Sequence, residues 1–447
     1  MDLVQRLWEN AYFPFFEGVL KRRQTHSLYK LALQTQWLPR ETLEEQQLGS
    51  LNKLLAHAKL RVPYYRDNAL FPSTITSLSE LEDLPILGKA EIRVHGEGML
   101  AENAGKAWWK STGGSTGEPL RFAHDQLSHE WRTAMSLRGY AWAGAVPGSK
   151  QAYIWGVSTA VPGAVQKQKE LLHRKIERKR QYNCFSFTPE AMQACYEDLQ
   201  RWKPDVIVGY TNPTYEFARF IEESGQEPLK VRSVLCAAEK VHPTQRETIA
   251  RVFRADVFDT YGSREFMLIA SECDSHEGMH VSMENLVVEI VDAEGKAVAP
   301  GETGRLVITD LHNYSMPFIR YEIGDLARAS DHRCACGRES QVLEDIVGRS
   351  LDVVRTPEGR VIPGELFPHL MKDYPEVLRF QVVQEEDYSI SLALKPNGTI
   401  PDHVAASIRD KLAMLIEADV AIDIKTVADI PLTPSGKHRV TISKVGA

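Results

Sequence analysis

Cysteine is scarce in this chain, with six among 447 residues. So few thiols exclude a disulfide-dense secreted scaffold, which places several bridges in a much shorter chain. Long apolar runs are missing as well: no run of about eighteen apolar residues occurs, so we expect no membrane-spanning helix. A basic excess is also absent, because 53 Lys and Arg residues stand against 60 Asp and Glu residues. The net charge of −7 argues against a nucleic-acid partner, whose phosphates need a basic surface.

Residues 1–23 lack the layout of a secretory signal, because Asp2 precedes the apolar part and a basic cluster follows it. We therefore expect a cytoplasmic protein. The same segment carries five aromatic residues that could either touch a membrane surface or dock on the chain's own domain. They are Trp8, Tyr12, Phe13, Phe15 and Phe16. Because Pro14 interrupts the helical face, we expect docking.

The composition is that of a globular chain, with 43% hydrophobic and 25% charged residues. A chain of this length is expected to fold as two or more domains. Leucines at helical spacing predict a helix over 42–60, which Pro63 ends.

A strand–helix alternation occupies the middle of the chain. Short apolar runs at 205–210, 231–239 and 255–265 are separated by helical segments at 213–223 and 242–253. Strands that alternate with helices at this spacing predict a parallel α/β sheet.

The pattern changes after residue 280, where paired β runs are separated by Gly, Pro and Asp turns and indicate antiparallel strands. A hairpin over 378–395, an amphipathic helix over 401–418 and a strand over 420–427 then form a compact tail. We therefore predict an α/β fold: a large N-terminal domain with parallel α/β sheets plus an antiparallel β part, and a small, mobile α+β C-terminal domain. The predicted boundaries are 1–349 for the large domain, 350–352 for a hinge and 353–447 for the small domain.

One stretch combines glycines and hydroxyl residues: "KSTGGSTGEPLRF", residues 110–122. Glycine lets backbone amides converge, and hydroxyl groups add donors, so such a loop can hold phosphate oxygens. It is not the usual nucleotide loop, which requires G-x-x-x-x-G-K-[ST]. Taken alone, the stretch is either a simple turn or a phosphate cradle.

Five further segments follow it in order: "CAAE" (236–239), "DTYGSRE" (259–265), "YEIGD" (321–325), "GRSLD" (348–352) and "PSGKHR" (434–439). The ordered series resembles the adenylate-forming superfamily of acyl- and aryl-CoA ligases. Within it, "LLAHAKLRVPYYRD", "LPILGKAEIR" and "STGGSTGEPL" resemble the phenylacetate–CoA ligase and capsule-biosynthesis branch. The resemblance implies an ATP- and Mg²⁺-dependent ligase that converts a carboxylate to an acyl-adenylate. A non-catalytic nucleotide-binding member of the family is the alternative.

The resemblance also implies a role for each motif residue. The donors to the β- and γ-phosphates would be Ser111, Thr112, Gly113, Gly114, Ser115, Thr116 and Gly117. Tyr261 would stack on adenine, and Asp325 would accept hydrogen bonds from the ribose hydroxyls. The remaining nucleotide-binding positions would be Ala237, Ala238, Glu239, Asp259, Gly262, Ser263 and Arg349.

Three catalytic positions follow from the same resemblance. Glu265 would hold Mg²⁺, because this hard cation prefers carboxylate oxygen. Arg264 stands where the family usually has threonine, and it could contact the α-phosphate or an acidic substrate. Lys437, carried by the small domain, would bridge the α-phosphate and the carboxylate, with Asp352 as the hinge residue.

The substrate would be a small carboxylic acid, bound by residues between the phosphate loop and "GYTNPTYEF". The candidates are Trp155, Gly156, Val157, Ser158, Tyr210 and Asn212. The family's glycine-rich loop after the hinge is missing here, and "VVRTPEGRVIPGELF" occupies its place. The acyl acceptor could therefore be an amine, a hydroxyl or a thiol, and an acyl- or aryl-CoA synthetase is the alternative, with CoA as a further cofactor.

Four residues form a set of zinc-ligand type: Cys273, His280, Cys334 and Cys336. Three thiolates and one imidazole suit a closed, structural Zn²⁺ site, and the phenylacetate–CoA ligase branch has similar residues. His276 is the rival imidazole, and His332 is a further candidate. Reduced cysteines without a metal are the alternative.

Overall fold

The structure of the chain is a computed structural model. It describes residues 3–112, 120–156, 176–184, 187–349, 353–357, 361–363, 366–371, 374, 376–416, 420–431 and 439–445.

Eleven α-helices occur in these ranges. In chain order they are α1 (Leu3–Leu7), α2 (Thr25–Thr35), α3 (Arg40–Arg61), α4 (Pro63–Arg66), α5 (Lys89–His95), α6 (Gln126–Trp142), α7 (Pro189–Trp202), α8 (Thr211–Glu223), α9 (Pro243–Phe253), α10 (Leu366–Met371) and α11 (Asp402–Ile416). Two π-helical segments, Trp8–Tyr12 and Phe15–Leu20, follow α1, and two 3₁₀ segments, Leu78–Asp83 and Gly96–Met99, flank α5.

Twenty strands lie in the same ranges. In chain order they are β1 (Trp108–Ser111), β2 (Arg121–His124), β3 (Gln151–Trp155), β4 (Lys179–Asn183), β5 (Val206–Tyr210), β6 (Ser233–Ala237), β7 (Asp256–Ser263), β8 (Met267–Glu272), β9 (Met279–Val281), β10 (Leu286–Val291), β11 (Thr303–Asp310), β12 (Tyr321–Arg328), β13 (Val342–Leu343), β14 (Asp345–Arg349), β15 (Val353–Arg355), β16 (Val361–Pro363), β17 (Val377–Gln384), β18 (Ile390–Pro396), β19 (Ile422–Thr426) and β20 (Thr441–Ser443).

The largest sheet has eight strands in the order β13-β9-β8-β7-β6-β5-β3-β4. Strands β4, β3, β5, β6 and β7 are parallel, whereas β8, β9 and β13 extend the sheet in antiparallel fashion. The predicted alternation of β5, β6 and β7 with α8 and α9 is confirmed. The helices bury an apolar layer on the parallel strands, formed by residues such as Ile207, Phe217, Val234 and Phe253.

A second sheet, β10-β11-β12-β14, is antiparallel throughout, as the turn-separated runs predict. Its apolar side belongs to a core that also includes α3, the β1–β2 hairpin and β8; Leu51, Phe122, Ile269 and Phe318 are four of its buried residues. This core places the β1–β2 hairpin next to both sheets.

The predicted helix over 42–60 is α3, which buries leucines along one face. Its end is set by proline. Val62, the residue before Pro63, is extended with φ −110° and ψ 113°, because proline disfavours the α conformation in the residue that precedes it. A new helical turn, α4, then begins at Pro63.

The aromatic N-terminal segment docks on the chain through Trp8 and Phe13, whereas Phe15 is exposed. Pro14 has helical φ and ψ of −59° and −42°, so the expected interruption of the helical face at Pro14 is wrong. Trp8 and Phe13 are buried and share a cluster with Leu28, Tyr29 and Met135 of α2 and α6. In the part of the chain that the structure describes, no helix combines the length and the apolar character needed to cross a bilayer.

The C-terminal part is a small α+β domain, as predicted. Its sheet has the order β19-β18-β17-β20, and α11 packs Val404, Ile408 and Leu412 into the core beside it. The predicted hinge residues 350–352 lie outside the described residues, so the domain boundary stays a prediction.

Candidate active site

The parallel strands end at one edge, where several predicted residues meet. Tyr210 is in register with Ala237 of β6, and Cys236 of β6 is in register with Asp259 of β7. Trp155 ends β3, and its ring lies 4.5 Å from that of Tyr210, centroid to centroid. Ligands of open α/β sheets bind at the carboxyl ends of the strands, so this edge is the candidate site.

The turn after β6 is held by its own hydrogen bonds. Ala238 has a φ of +71°, a conformation that non-glycine residues adopt rarely. The Glu239 carboxylate accepts from the Asn212 backbone N–H at 3.0 Å, and its carbonyl accepts from the Thr211 hydroxyl at 2.6 Å. The side-chain oxygen of Asn212, a predicted substrate residue, accepts from Gln245 at 2.7 Å. These contacts fix the backbone of the "CAAE" segment at the sheet edge.

Asp259 is buried, and its carboxylate accepts from the backbone N–H groups of Val241 at 3.2 Å and Thr260 at 2.8 Å. Burial, followed by the nearby Glu272 carboxylate, raises the pKa of Asp259 to about 7. The side chain therefore holds the loop after β6, and its predicted contact with nucleotide stays a prediction.

Two hydrogen bonds join the β7–β8 hairpin to the second sheet. The Tyr261 hydroxyl donates to the Asp325 carboxylate at 2.6 Å. The buried Tyr321 hydroxyl donates to the buried carboxylate of Glu265 at 3.2 Å. Tyr261 and Glu265 of the "DTYGSRE" segment and Asp325 of the "YEIGD" segment are thereby brought together; their predicted roles toward adenine, Mg²⁺ and ribose stay predictions.

The turn of that hairpin requires glycine. A Cβ on Gly262 would collide with the carbonyl oxygen of Met267, and the Ser263 hydroxyl accepts from the Phe266 N–H at 3.2 Å. Arg264 is exposed at the tip, and among the described residues it has no hydrogen-bond or ion-pair partner. The turn thus presents an exposed guanidinium beside Glu265.

The β1–β2 hairpin brackets the glycine-rich stretch. Thr112 and Leu120 close its foot with two bonds: the Thr112 N–H donates to the Leu120 carbonyl at 2.9 Å, and the Leu120 N–H donates to the Thr112 hydroxyl at 2.8 Å. Ser111 is exposed at the end of β1. The five glycine, serine and threonine positions from 113 to 117 lie outside the described residues.

Sequence reasoning missed a cation beside this loop. Lys110 shares a face of the hairpin with Trp108 and with the buried His124, which pairs with Trp108 across the strands. Burial, followed by the charges of Arg132 and Arg264, lowers the pKa of Lys110. Among the described residues Lys110 has no hydrogen-bond or ion-pair partner. The sequence carried a signal, because the alternation of side chains along a strand puts Lys110 and the exposed Ser111 on different faces. The strand β1 itself was not predicted.

Several predicted positions cannot be placed. Val157, Ser158, Asp352 and Lys437 lie outside the described residues. Of Arg349 the structure describes the backbone, which pairs with Asp325 between β14 and β12.

The four predicted metal ligands lie together. The ligand atoms of Cys273, His280, Cys334 and Cys336 are all within 4.8 Å of one another. The Cys273 and Cys334 sulfurs are 3.5 Å apart, and the Cys336 sulfur is 3.4 Å from His280 Nε2. His280 Nδ1 lies 2.9 Å from the Ser340 hydroxyl, so Nε2 is the nitrogen available to a metal. The set fits the soft-ligand chemistry of Zn²⁺.

The two rival imidazoles are engaged elsewhere. His276 Nδ1 lies 3.2 Å from the Glu272 carboxylate, and His332 Nε2 lies 2.9 Å from that of Glu277. The geometry therefore favours His280.

Cation–π contacts of Arg338 connect the loop that carries Cys334 and Cys336 to neighbouring helices. The Arg338 guanidinium lies between the rings of Trp37 and Trp142, 4.5 and 4.7 Å from their centroids, and its Nε donates to Gln36 at 3.1 Å. The Trp142 ring meets His280 edge-on at 5.6 Å. The cysteine loop is thereby tied to α2 and α6.

Known proteins resemble the chain over most of its length. The AMP-binding enzyme family matches residues 132–315, and the CapK C-terminal domain family matches residues 354–444. A phenylacetate–coenzyme A ligase of Thermus thermophilus is 25% identical over 450 residues, which cover 92% of this chain and 96% of the relative. The protein CapK of Staphylococcus aureus is 20% identical over 435 residues, which cover 96% and 92%.

These matches support the adenylate-forming superfamily and, within it, the branch of the phenylacetate–CoA ligases and CapK, as the sequence motifs predict. A solved structure shares the fold of this adenylate-forming ligase: 2-hydroxyisobutyryl-CoA ligase in the postadenylation state with R3-HIB-AMP, with a TM-score of 0.71, 18% identity and 91% of each chain covered.

One departure from the family pattern is explained by the fold of this ligase. Glu322 replaces the arginine common in the family's "YRxGD" segment. Its carboxylate forms an ion pair of 3.1 Å with Arg305 on the neighbouring strand β11. The negative charge of Glu322 is thus balanced by Arg305 within the second sheet.

Proposed function

We propose that this ligase activates a small carboxylic acid as its adenylate and then transfers the acyl group to a nucleophile. A carboxylate oxygen forms a bond to the α-phosphorus of ATP, and the bond to pyrophosphate breaks. The acceptor then attacks the acyl carbon, and AMP leaves. The observation that carries the proposal is the meeting of Tyr261, Asp325 and Glu265 at the junction of the two sheets, linked by the two tyrosine hydrogen bonds.

The residue chemistry of this junction fits a nucleotide. Asp325, an acceptor in the ionised state, can receive both ribose hydroxyls. The cations Lys110 and Arg264 can balance the charge of a polyphosphate, because neither has a carboxylate partner among the described residues. Glu265 would hold Mg²⁺, which neutralises charge on the phosphates. The tail lysine, Lys437, would supply the positive charge at the reacting carboxylate.

The substrate end of the site is aromatic. The rings of Trp155 and Tyr210 lie side by side at the ends of β3 and β5, next to Asn212 at the start of α8. An aromatic wall with a few polar groups is typical of small-molecule pockets, so we place the organic part of the acid here.

Transfer to CoA is the second candidate for the second step. It is favoured by the phenylacetate–coenzyme A ligase of Thermus thermophilus, similar along nearly its whole length. Offering CoA, hydroxylamine and simple amines to the enzyme with its acid and ATP separates the acceptors, since each product has a distinct mass.

The adenylation step is tested by acid-dependent exchange of labelled pyrophosphate into ATP, with a panel of carboxylic acids. We expect at least one acid to support exchange and Asp325→Asn to weaken it by roughly 10- to 100-fold, the value of one or two hydrogen bonds to a charged group. Asp256→Asn is the matched control, because this exposed aspartate begins β7, whereas Tyr261, the hydrogen-bond partner of Asp325, lies near the other end of that strand. Exchange that is unaffected by Asp325→Asn would contradict the assignment.

We also propose that Cys273, His280, Cys334 and Cys336 bind a structural Zn²⁺, which would hold the cysteine loop against β9. Metal analysis of the purified protein should find about one zinc per chain, and Cys334→Ser with Cys336→Ser should lose it and lower the Tm. Cys184→Ser with Cys195→Ser is the control, since these thiols lie outside the cluster. A fully folded native protein without metal would refute the site.

A further inference from the structure

One face of the N-terminal helical segment is apolar and open to solvent. Val4, Leu7, Phe15, Val19 and Leu20 are between 51% and 61% exposed. Together with the exposed Ala11 these residues are here named the N-terminal apolar face. From Val4 to Val19 they recur three to four positions apart, along a segment that is helical in α1 and π-helical over Trp8–Tyr12 and Phe15–Leu20.

The segment is anchored by its opposite side. Trp8 and Phe13 are buried with Tyr29 and Met135, and the rings of Trp8 and Phe13 stack at 5.0 Å. Gly148 fits so closely that a Cβ there would lie 2.8 Å from that of Trp8. The apolar face is therefore held outward by packing, and it is not a frayed end.

Positive charge borders the apolar face. Arg6 precedes Leu7 in the chain, and Lys21 and Arg22 follow Leu20; all three side chains are exposed. The Lys21 ammonium lies over the Phe16 ring at 5.3 Å.

The acidic groups of residues 3–23 do not offset this charge. Glu9 forms an ion pair of 3.2 Å with Lys30, and Glu17 is buried. Within residues 3–22 the exposed charged side chains are thus all basic, although Asp2 precedes this range and the chain as a whole carries a net charge of −7.

We propose that the N-terminal apolar face lies on the surface of an anionic lipid bilayer. A helix with an apolar face and basic flanks binds in the interfacial plane, where apolar burial and attraction to anionic headgroups act together. Charge complementarity favours this occupant over a second copy of the chain, because a two-fold contact would bring like charges together. Such binding does not depend on the proposed reaction.

The test is flotation of the full-length protein with phosphatidylcholine vesicles, with and without phosphatidylserine. We expect binding that requires phosphatidylserine and falls with added salt. Leu7→Ser with Phe15→Ser should lower the bound fraction about tenfold or more, and Lys21→Gln with Arg22→Gln should lower it on phosphatidylserine vesicles. Leu60→Ser with Leu70→Ser is the matched control, because these leucines are 62% and 66% exposed on another surface.

Three results would overturn the proposal. The wild-type protein fails to float with anionic vesicles, or the control variant loses binding as much as the Leu7 and Phe15 variant does. Alternatively, sedimentation shows a dimer that the Leu7 and Phe15 substitutions dissociate, which would make the face an interface between copies. The Tm of each variant, measured without vesicles, shows that lost binding does not come from lost folding.

Discussion

Lys110 is a half-buried cation at the foot of the glycine-rich loop, with Arg132 and Arg264 as its charged neighbours. Arg132 is paired with Asp310 at 2.6 Å. Lys110 and Arg264, by contrast, have no carboxylate partner among the described residues, so a bound anion would stabilise them. We therefore expect Lys110→Met to lower kcat/KM for pyrophosphate exchange roughly 10- to 100-fold, because a hydrogen bond to a charged group is lost. The measurement is exchange kinetics at varied ATP.

Lys106→Met is the control for this variant. Lys106 is exposed four residues before Lys110, outside the hairpin, and its replacement should leave exchange unchanged. Equal losses in the two variants would show that Lys110 has no specific role.

His124 predicts how stability depends on pH. Burial, followed by the charges of Arg132, Lys110 and His129, lowers the pKa of His124 to about 3 from the ordinary 6.5. The unfolded chain therefore binds the proton first, and stability is lost as pH falls below about 6.5. At pH 5 this loss is about 2 kcal/mol for the single group.

His124→Phe should remove that loss of stability, because phenylalanine has no group that binds a proton. It gives up no hydrogen bond at Nδ1, which is buried without a partner among the described residues. The measurement is the Tm of both proteins at pH 7 and pH 5. We expect a smaller fall for the variant, and identical falls would contradict the assignment.

The residues that could be predicted from sequence are those fixed by a local motif. Tyr261, Glu265 and Asp325 lie in short segments of distinctive composition, and the structure brings them together. Lys110 and His124 were missed, because their surroundings arise from the pairing of β1 with β2, and neither strand was predicted. For the proposed zinc site the sequence leaves three candidate imidazoles, His276, His280 and His332. The structure favours His280, because it lies beside the three cysteines.

At the scale of elements, α6 is held by a buried ion pair. Arg138 donates to both carboxylate oxygens of Glu284 at 2.6 and 2.7 Å, and the Thr35 hydroxyl of α2 donates to the same carboxylate at 2.6 Å. We expect Glu284→Leu to cost about 3 kcal/mol or more, because it leaves the Arg138 charge buried and unpaired. Denaturant unfolding measures the loss.

Two further variants separate the causes. Arg138→Met combined with Glu284→Leu should recover much of the loss, since no unpaired charge remains. Glu223→Ala, which breaks the surface pair with Arg219 on α8, should cost no more than about 1 kcal/mol. A double variant less stable than Glu284→Leu would contradict this account.

Helices and strands could be predicted where the hydrophobic periodicity of a segment and its length indicated the same element. Strands β5, β6 and β7 are apolar runs between amphipathic helices, and each is found as predicted. Strand β4, with the sequence KRQYN, could not be predicted, because an edge strand needs few apolar residues and carries charge. The antiparallel extension of the main sheet was also missed, since its pairing depends on contacts distant in the sequence.

At the scale of the whole molecule, the two domains divide the work that we propose. The large domain brings Tyr261, Asp325 and Glu265, the residues that we propose for adenine, ribose and Mg²⁺, together at the junction of its two sheets. The small domain contributes two sheets and two helices among the described residues and, by resemblance, one lysine near the end of the chain. Binding and reaction should therefore be separable by changing the small domain alone.

That separation is the last prediction. Lys437→Ala should abolish acid-dependent pyrophosphate exchange, by roughly 100-fold or more, because the positive charge at the reacting carboxylate is lost. ATP binding, measured by calorimetry, should change little, and acyl transfer from a supplied acyl-adenylate should persist. Lys444→Ala is the matched control, since Lys444 lies in the same domain and pairs with Glu385 at 2.6 Å. If Lys437→Ala slows the transfer step as much as exchange, the lysine serves the fold of the domain, and the proposed division of work between the domains is wrong.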